Sequence, residues 1–311
     1  MSDTQIVDDY IARLSRWGQW GEEDQLGAMN LVGPEQVRAA TALVRDGDVI
    51  SLTLPYDQQG PQPGGLRNNP QLVTTATGTD TIAGAQNFFP GDFGYSDDMI
   101  VMGTQCGTQW DALSHIFHKG KMWNGYSAAE HTSRGAARNG IHHWVDRMVM
   151  RAVLVDVPVH RQVHSLDDGY AITVDDLEDT IAAQGSSVQA GDALVVRTGQ
   201  MSVRRGNWGD YAGGSAPGMS LHTAPWLHEK KIAALVTDTW GVEVRPNEID
   251  VFQPLHQVAL VHMGLAMGEM FDLDELSAAC AGDGRYEFML AATPLAITGA
   301  VGSPVGAVAI R

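Results

Sequence analysis

Three runs of the chain, 147–157 (RMVMRAVLVDV), 192–198 (DALVVRT) and 232–237 (IAALVT), are apolar almost without interruption, the pattern of strands buried on both faces. Such strands need cover above and below. Between them lie two segments with helical apolar spacing, 173–184 (TVDDLEDTIAAQ, with Gly185 as its stop) and 223–231 (TAPWLHEKK), so strands and helices alternate. This alternation predicts an α/β fold with a central sheet flanked by helices. Pro34 opens an earlier helical stretch, PEQVRAATALVRDG, with Gly47 where a C-cap belongs, and residues 48–56 read as a strand. A last helix is expected near 273–281, ahead of the apolar run FMLAATPLAI and the strand-like close GSPVGAVAIR. No repeat, low-complexity tract or linker is visible, so one domain over 1–311 is expected, with about 1–46 as an N-terminal helical arm. The loops 58–70 (QQGPQPGGLRNNP) and 206–218 are candidate pocket walls, the first a candidate lid.

Composition removes several function classes. With 37 acidic against 20 basic residues and a net charge of −17, the chain lacks the basic face that a nucleic-acid partner requires. The start MSDTQIVDDY has neither a positive n-region nor an apolar h-region, and no stretch reaches the roughly 18 unbroken apolar residues of a membrane span. A cytoplasmic protein without a membrane partner is the expectation. Its two cysteines, Cys106 and Cys280, form no Cys-x-x-Cys pair, so any metal must sit on His, Asp, Glu or amide oxygens. There is no Gly-x-Ser-x-Gly elbow, no Walker loop and no His-Glu-x-x-His helix, which removes the serine-hydrolase, nucleotide-binding and zincin readings.

One segment concentrates polar side chains at regular spacing: Gln105-Cys-Gly-Thr-Gln-Trp-Asp-Ala-Leu-Ser-His115. An extended backbone would aim Gln105, Gln109 and Asp111 at one face and Cys106 at the other, which makes Cys106 a poor nucleophile. If a helix begins near Asp111, His115 follows one turn later on the same side. A carboxylate to hold a cation and an imidazole to move protons is what metal-assisted hydrolysis needs. Spacing alone equally describes an ordinary Asp/His pair on a helix. A second segment, His256 to Glu269, sets a His and a Glu in an otherwise apolar run, where charged groups need a partner or a metal; a hydrogen-bonded core histidine satisfies the same pattern. His142, His143, His160 and His164 are better suited to capping, surface or loop roles.

The eleven residues from Gln105 resemble the signature His-x-Gly-Thr-His-x-Asp-x-Pro-x-His of the cyclase superfamily, which includes kynurenine formamidase and isatin hydrolase. Further counterparts are RWGQWGEEDQLGAMNLVGPEQV, SHIFHKGKMWNG, IAALVTDTWGVEV and PLAITGAVGSPVGAVAI, so the resemblance spans nearly the whole chain. It implies a swivelling β/β/α fold with a mixed sheet, a bound zinc or manganese ion, hydrolysis of an amide or ester bond, commonly with ring opening, and a homo-oligomer, dimer or tetramer, in which the segment with Trp17 and Trp20 is a reasonable interface or arm. It places metal ligands at Asp111, His256 and Glu269 and a catalytic histidine at His115. Gln105 and Gln109 stand where the signature has histidines, and Leu113 where it has proline. This Gln-x-x-x-Gln-x-Asp variant resembles trans-dienelactone hydrolase, a zinc-dependent member that opens an unsaturated lactone. Gln105 and Gln109 are then expected as oxygen ligands or as donors to bound water, and His222 and Trp240 as pocket residues facing a small-molecule substrate. The reading is a metal-dependent hydrolase of a small cyclic ester or amide. Its alternatives are an arylformamidase, a metabolite cyclase or dehydratase, and a non-catalytic binding protein that lost its metal with the histidines.

Overall fold

The three apolar runs lie side by side as parallel strands in the computed structural model, which describes residues 2–311. Numbered in chain order, the strands of the main sheet are β1 Val49–Ser51, β2 Gln109–Asp111, β3 Val149–Asp156, β4 Ala193–Arg197, β5 Ala234–Thr237, β6 Ala266–Glu269, β7 Glu287–Ala291, β8 Gly302–Pro304 and β9 Val308–Ile310. Their order across the sheet is β1-β9-β7-β3-β4-β5-β6-β2-β8. Strands β3 to β6 run parallel and every other pairing is antiparallel. The sheet curls, because Leu52 just beyond β1 accepts a bond of 2.9 Å from Asp272 and Thr53 bridges Phe271 just beyond β6. The result is the expected α/β architecture with a mixed sheet.

Helices cover it as the alternation predicts. Val174–Ala183 packs on β3, starting from a Thr173 cap whose hydroxyl accepts the Asp176 N–H, and Pro34–Thr41 packs on β3 and β7. The second helix is shorter than its sequence pattern, and Gly47, at φ 80°, serves a turn whose N–H donates to Arg311. The strand expected over 48–56 narrows to three residues, since from Leu52 onward the backbone bonds to Ala307 on one side and Asp272 on the other. Val157–Arg161 is one helical turn where a loop was expected. The N-terminal segment does not stand apart as an arm: Asp3–Leu14 packs on residues 257–262 and 224–229, with Val7 and Leu14 buried. Trp17 stacks on His262 at 4.5 Å and Trp20 tilts against Trp123, so both belong to the body of this chain. Sequence patterning also missed an antiparallel hairpin, Gln71–Ala76 with Asp97–Val101, whose Leu72, Met99 and Ile100 are exposed.

The contact that fixes the site's position is Trp110 of β2, wholly buried, its indole N–H donating 2.7 Å to Ala292 and its ring lying against Gly268 of β6. A Cβ on Gly268 would come within 2.8 Å of that ring and 2.9 Å of Phe271. Gly268→Ala should therefore overpack the core by about 1–3 kcal/mol and lower the urea midpoint. An unchanged midpoint would show that β2 and β6 are not held at this spacing.

Candidate active site

Where β2 and β6 pair, Gln109 stands opposite Glu269 and Asp111 opposite Met267. The alternation of a strand then turns Gln109, Asp111 and Glu269 to one face and Trp110 to the other. All three polar side chains are buried. The odd-number alternation thus holds for Gln109 and Asp111 and fails for Gln105, which lies in the turn before β2. There the Gln105 amide rests over Gly302, its Nε2 2.5 Å from where a Cβ would sit and without a hydrogen-bond partner. Thr104 donates to its Oε1 at 2.9 Å.

His256 arrives from the other side. Gln253, at φ 48°, and Pro254 start a helical turn, and the wide turn of a π-helix over Gln257–His262 carries the chain into β6. Glu243 accepts the N–H groups of Leu255 at 2.9 Å and His256 at 3.0 Å, and accepts a hydrogen bond from His256 Nδ1 at 2.5 Å. This fixes the tautomer that leaves Nε2 facing Glu269 Oε1 at 3.3 Å and Asp111 Oδ2 at 3.9 Å. Glu243 had gone unremarked in the sequence; the only signal was a lone carboxylate in the apolar stretch Gly-Val-Glu-Val.

His115 is brought to Asp111 by a tight turn rather than a helix, its N–H donating 2.9 Å to Ala112. Its Nε2 lies 3.8 Å from Asp111 Oδ1, and its side chain keeps 19% exposure. That exposure opens onto a cleft of about 590 Å³ lined by Leu66, Arg67, Asn68, Gly103, Gln105 and His115. Trp240, half-buried beside this wall, stacks with Arg67 at 5.1 Å. His222 does not line the cleft: it is exposed, with Nδ1 2.7 Å from the hydroxyl of Tyr10 on the N-terminal helix.

Electrostatics follow from burial. Loss of water raises the Asp111 carboxyl to about 6, with Glu269 adding to the effect and His115, His256 and Arg67 opposing it. Burial works to keep His256 neutral, yet its hydrogen bonds to Glu243 and Glu269 prevail and lift it to about 10. Burial also holds His115 below the usual histidine range against the pull of Asp111, so its imidazole is neutral at pH 7. Burial of the Cys106 thiol likewise pushes it up and leaves it unreactive.

These residues fit a metal ion. Donor atoms of Asp111, His256 and Glu269 lie within 4.8 Å of one another, all buried. Two buried carboxylates facing Nε2 of His256 call for a positive charge there, either a proton on that nitrogen or a cation in its place. Gln109 adds a second sign: its Nε2 donates 2.8 Å to Glu269 and 3.3 Å to Asp111, while its Oε1 is buried with no partner. An orphaned buried oxygen beside the cluster is a fourth candidate ligand.

The family model described as Cyclase matches residues 50–244, more than half of the chain. This chain belongs to the cyclase family. Its sequence is 37% identical to a crystal structure described as a novel cyclase, over 97% of this chain and 99% of that one, with a TM-score of 0.88. An isatin hydrolase bound to the product analogue thioisatinate shares the fold at 18% identity, covering 86% of this chain and 93% of its own, TM-score 0.61. So does a "predicted metal-dependent hydrolase" from Bacillus stearothermophilus at 18% identity, covering 85% and 98%, TM-score 0.55. No curated protein matches.

Because a divalent metal would have to displace protons from His256, lifted to about 10, and from Asp111, raised to about 6, affinity of this chain for such an ion should rise with pH between 6 and 9. Glu243→Gln, which removes the charge that orients His256, should weaken binding about 10- to 100-fold. Chelator-competition titrations check both, and a flat pH response with unaltered affinity in the variant would refute this ligand set.

Proposed function

We propose that this chain is a metal-dependent hydrolase that opens a small cyclic ester or cyclic amide. The observation that carries the reading is the cluster of Asp111, His256 and Glu269, with His115 3.8 Å from Asp111 at the mouth of a cleft. The hydrolases that share the fold support it. A zinc or manganese ion held by Asp111, His256 and Glu269, with Gln109 as a further oxygen donor, would polarise the scissile carbonyl and lower the pKa of the attacking water. The amide in place of imidazole makes the set richer in oxygen, which suits manganese as well as zinc.

The chain's own residues handle the proton. His115, neutral at Nε2, takes a proton from the water as its oxygen bonds to the ring carbonyl carbon. As the ring C–O or C–N bond breaks, the same nitrogen returns that proton to the departing oxygen or nitrogen. Asp111, 3.8 Å away, stabilises the imidazolium in between. Burial of Asp111, His256 and Glu269 keeps bulk water from the carboxylates. The Gln-x-x-x-Gln-x-Asp variant of Gln105, Gln109 and Asp111, which resembles trans-dienelactone hydrolase, favours an unsaturated lactone over a formamide.

Two variants test this on a panel of unsaturated lactones, cyclic imides and N-formyl anilines. Asp111→Ala should abolish turnover and bound metal together. His115→Gln should keep its metal and lose about 10²- to 10⁴-fold in kcat. Full turnover by Asp111→Ala sinks the assignment. Metal-loaded wild type that turns over none of the panel, or purified protein with under about 0.1 ion per chain and no gain in added zinc or manganese, would instead mark a binding protein.

A further inference from the structure

A guanidinium stands in the cleft without an ion pair to any carboxylate among the described residues. Arg67 lines the cleft beside Gln105 and His115. Its guanidinium lies 5.1 Å over the Trp240 ring, and Nη1 donates 3.2 Å to the Gln105 carbonyl. Both supports are fixed. Arg245 stacks on Trp240 at 5.6 Å, and the Trp240 indole N–H reaches Gln62 at 3.4 Å. The loop that carries Arg67 is pinned by Asn69, whose amide donates to Gly60 at 2.9 Å and Gln62 at 3.0 Å and accepts from the Gln62 N–H at 2.8 Å.

Several buried or half-buried arginines of this acidic chain pair with carboxylates, Arg151 with Asp192 and Glu287, Arg197 with Asp156 and Asp274, Arg285 with Asp46 and Asp283, whereas Arg16 and Arg245 donate to the backbone carbonyls of His228 and Gly213 away from the lining of the cleft. Arg67 pairs with none among the described residues, and only one of its N–H groups is engaged within the chain. A planar guanidinium held in place with free N–H groups is built to take a carboxylate through two parallel bonds.

The geometry points to Arg67 as the specificity residue of the cleft, recognising a carboxylate substituent on the cyclic ester or amide and setting the ring carbonyl against His115 and the Asp111, His256, Glu269 cluster. This assignment rests on the hydrolase reading. In a chain of net charge −17, an arginine without an ion pair in the cleft also favours the approach of an anionic ligand to a site of buried carboxylates.

The test compares an unsaturated γ-lactone bearing a carboxylate with the same lactone bearing the isosteric primary carboxamide, on the metal-loaded enzyme. Wild type should favour the carboxylate by at least about tenfold in kcat/KM, as expected when charge-assisted hydrogen bonds are lost. Arg67→Gln should collapse that ratio toward one, chiefly through KM, and Arg67→Lys should restore part of it. Binding of each lactone, followed by tryptophan fluorescence, reads the same preference without turnover. If neither lactone is opened but the carboxylate still binds more tightly, and Arg67→Gln removes the difference, the hydrolase reading fails while Arg67 keeps its role. Equal treatment of the two lactones by wild type, a ratio that Arg67→Gln leaves unchanged, or binding of neither overturns the assignment.

Discussion

Two carboxylates, Asp111 and Glu269, and the Nε2 face of His256 share a space from which water is excluded, and that crowding of negative charge is the constraint around which the rest is arranged. Unpaired charge is costly inside a protein, so the cluster exists only if something positive stands between its members. A proton on His256 can do this, which is why the imidazole is lifted to about 10. A divalent ion does it better, since it satisfies both carboxylates and the lone pair at once. Glu243 serves either state by gripping Nδ1 and the backbone N–H of the same residue, so His256 is oriented before any cation arrives.

The fold supplies that crowding through a short strand. The residues of β2 are held between β6 and β8, with Trp110 anchoring the far side and Gly268 letting its ring approach. A strand of this length cannot bury much area by itself. It depends on antiparallel register with β6 to align Gln109 with Glu269, and on the π-helix of 257–262 to bring His256 back over the same face. Gln109 suits this frame because its amide donates to both carboxylates.

Much of this was legible in the residues. Unbroken apolar runs identified β3, β4 and β5, and period-two alternation correctly put Gln109 and Asp111 on one face. Alternation could not reach Gln105, because a turn intervenes and its amide is drawn over Gly302. His115 meets Asp111 as expected but by a turn, a difference that i, i+4 spacing cannot reveal. Glu243 and Arg67 were invisible for a different reason: their partners, His256 and Trp240, are brought to them only by the tertiary fold. The 71–101 hairpin escaped notice because its apolar residues face outward, against the rule that patterning relies on. His222 was expected at the pocket and instead faces Tyr10 of the N-terminal helix, which packs against residues 224–229 beside it.

The central claim is that Asp111, His256 and Glu269 hold one cation in common. Anomalous diffraction from crystals grown with zinc or manganese, recorded on both sides of the metal's absorption edge, tests it most directly. The account predicts a peak bonded to a carboxylate oxygen of Asp111, to Nε2 of His256 and to a carboxylate oxygen of Glu269, at about 2.0–2.2 Å for zinc. Full-occupancy metal elsewhere, or no peak at this cluster under saturating metal, would contradict it.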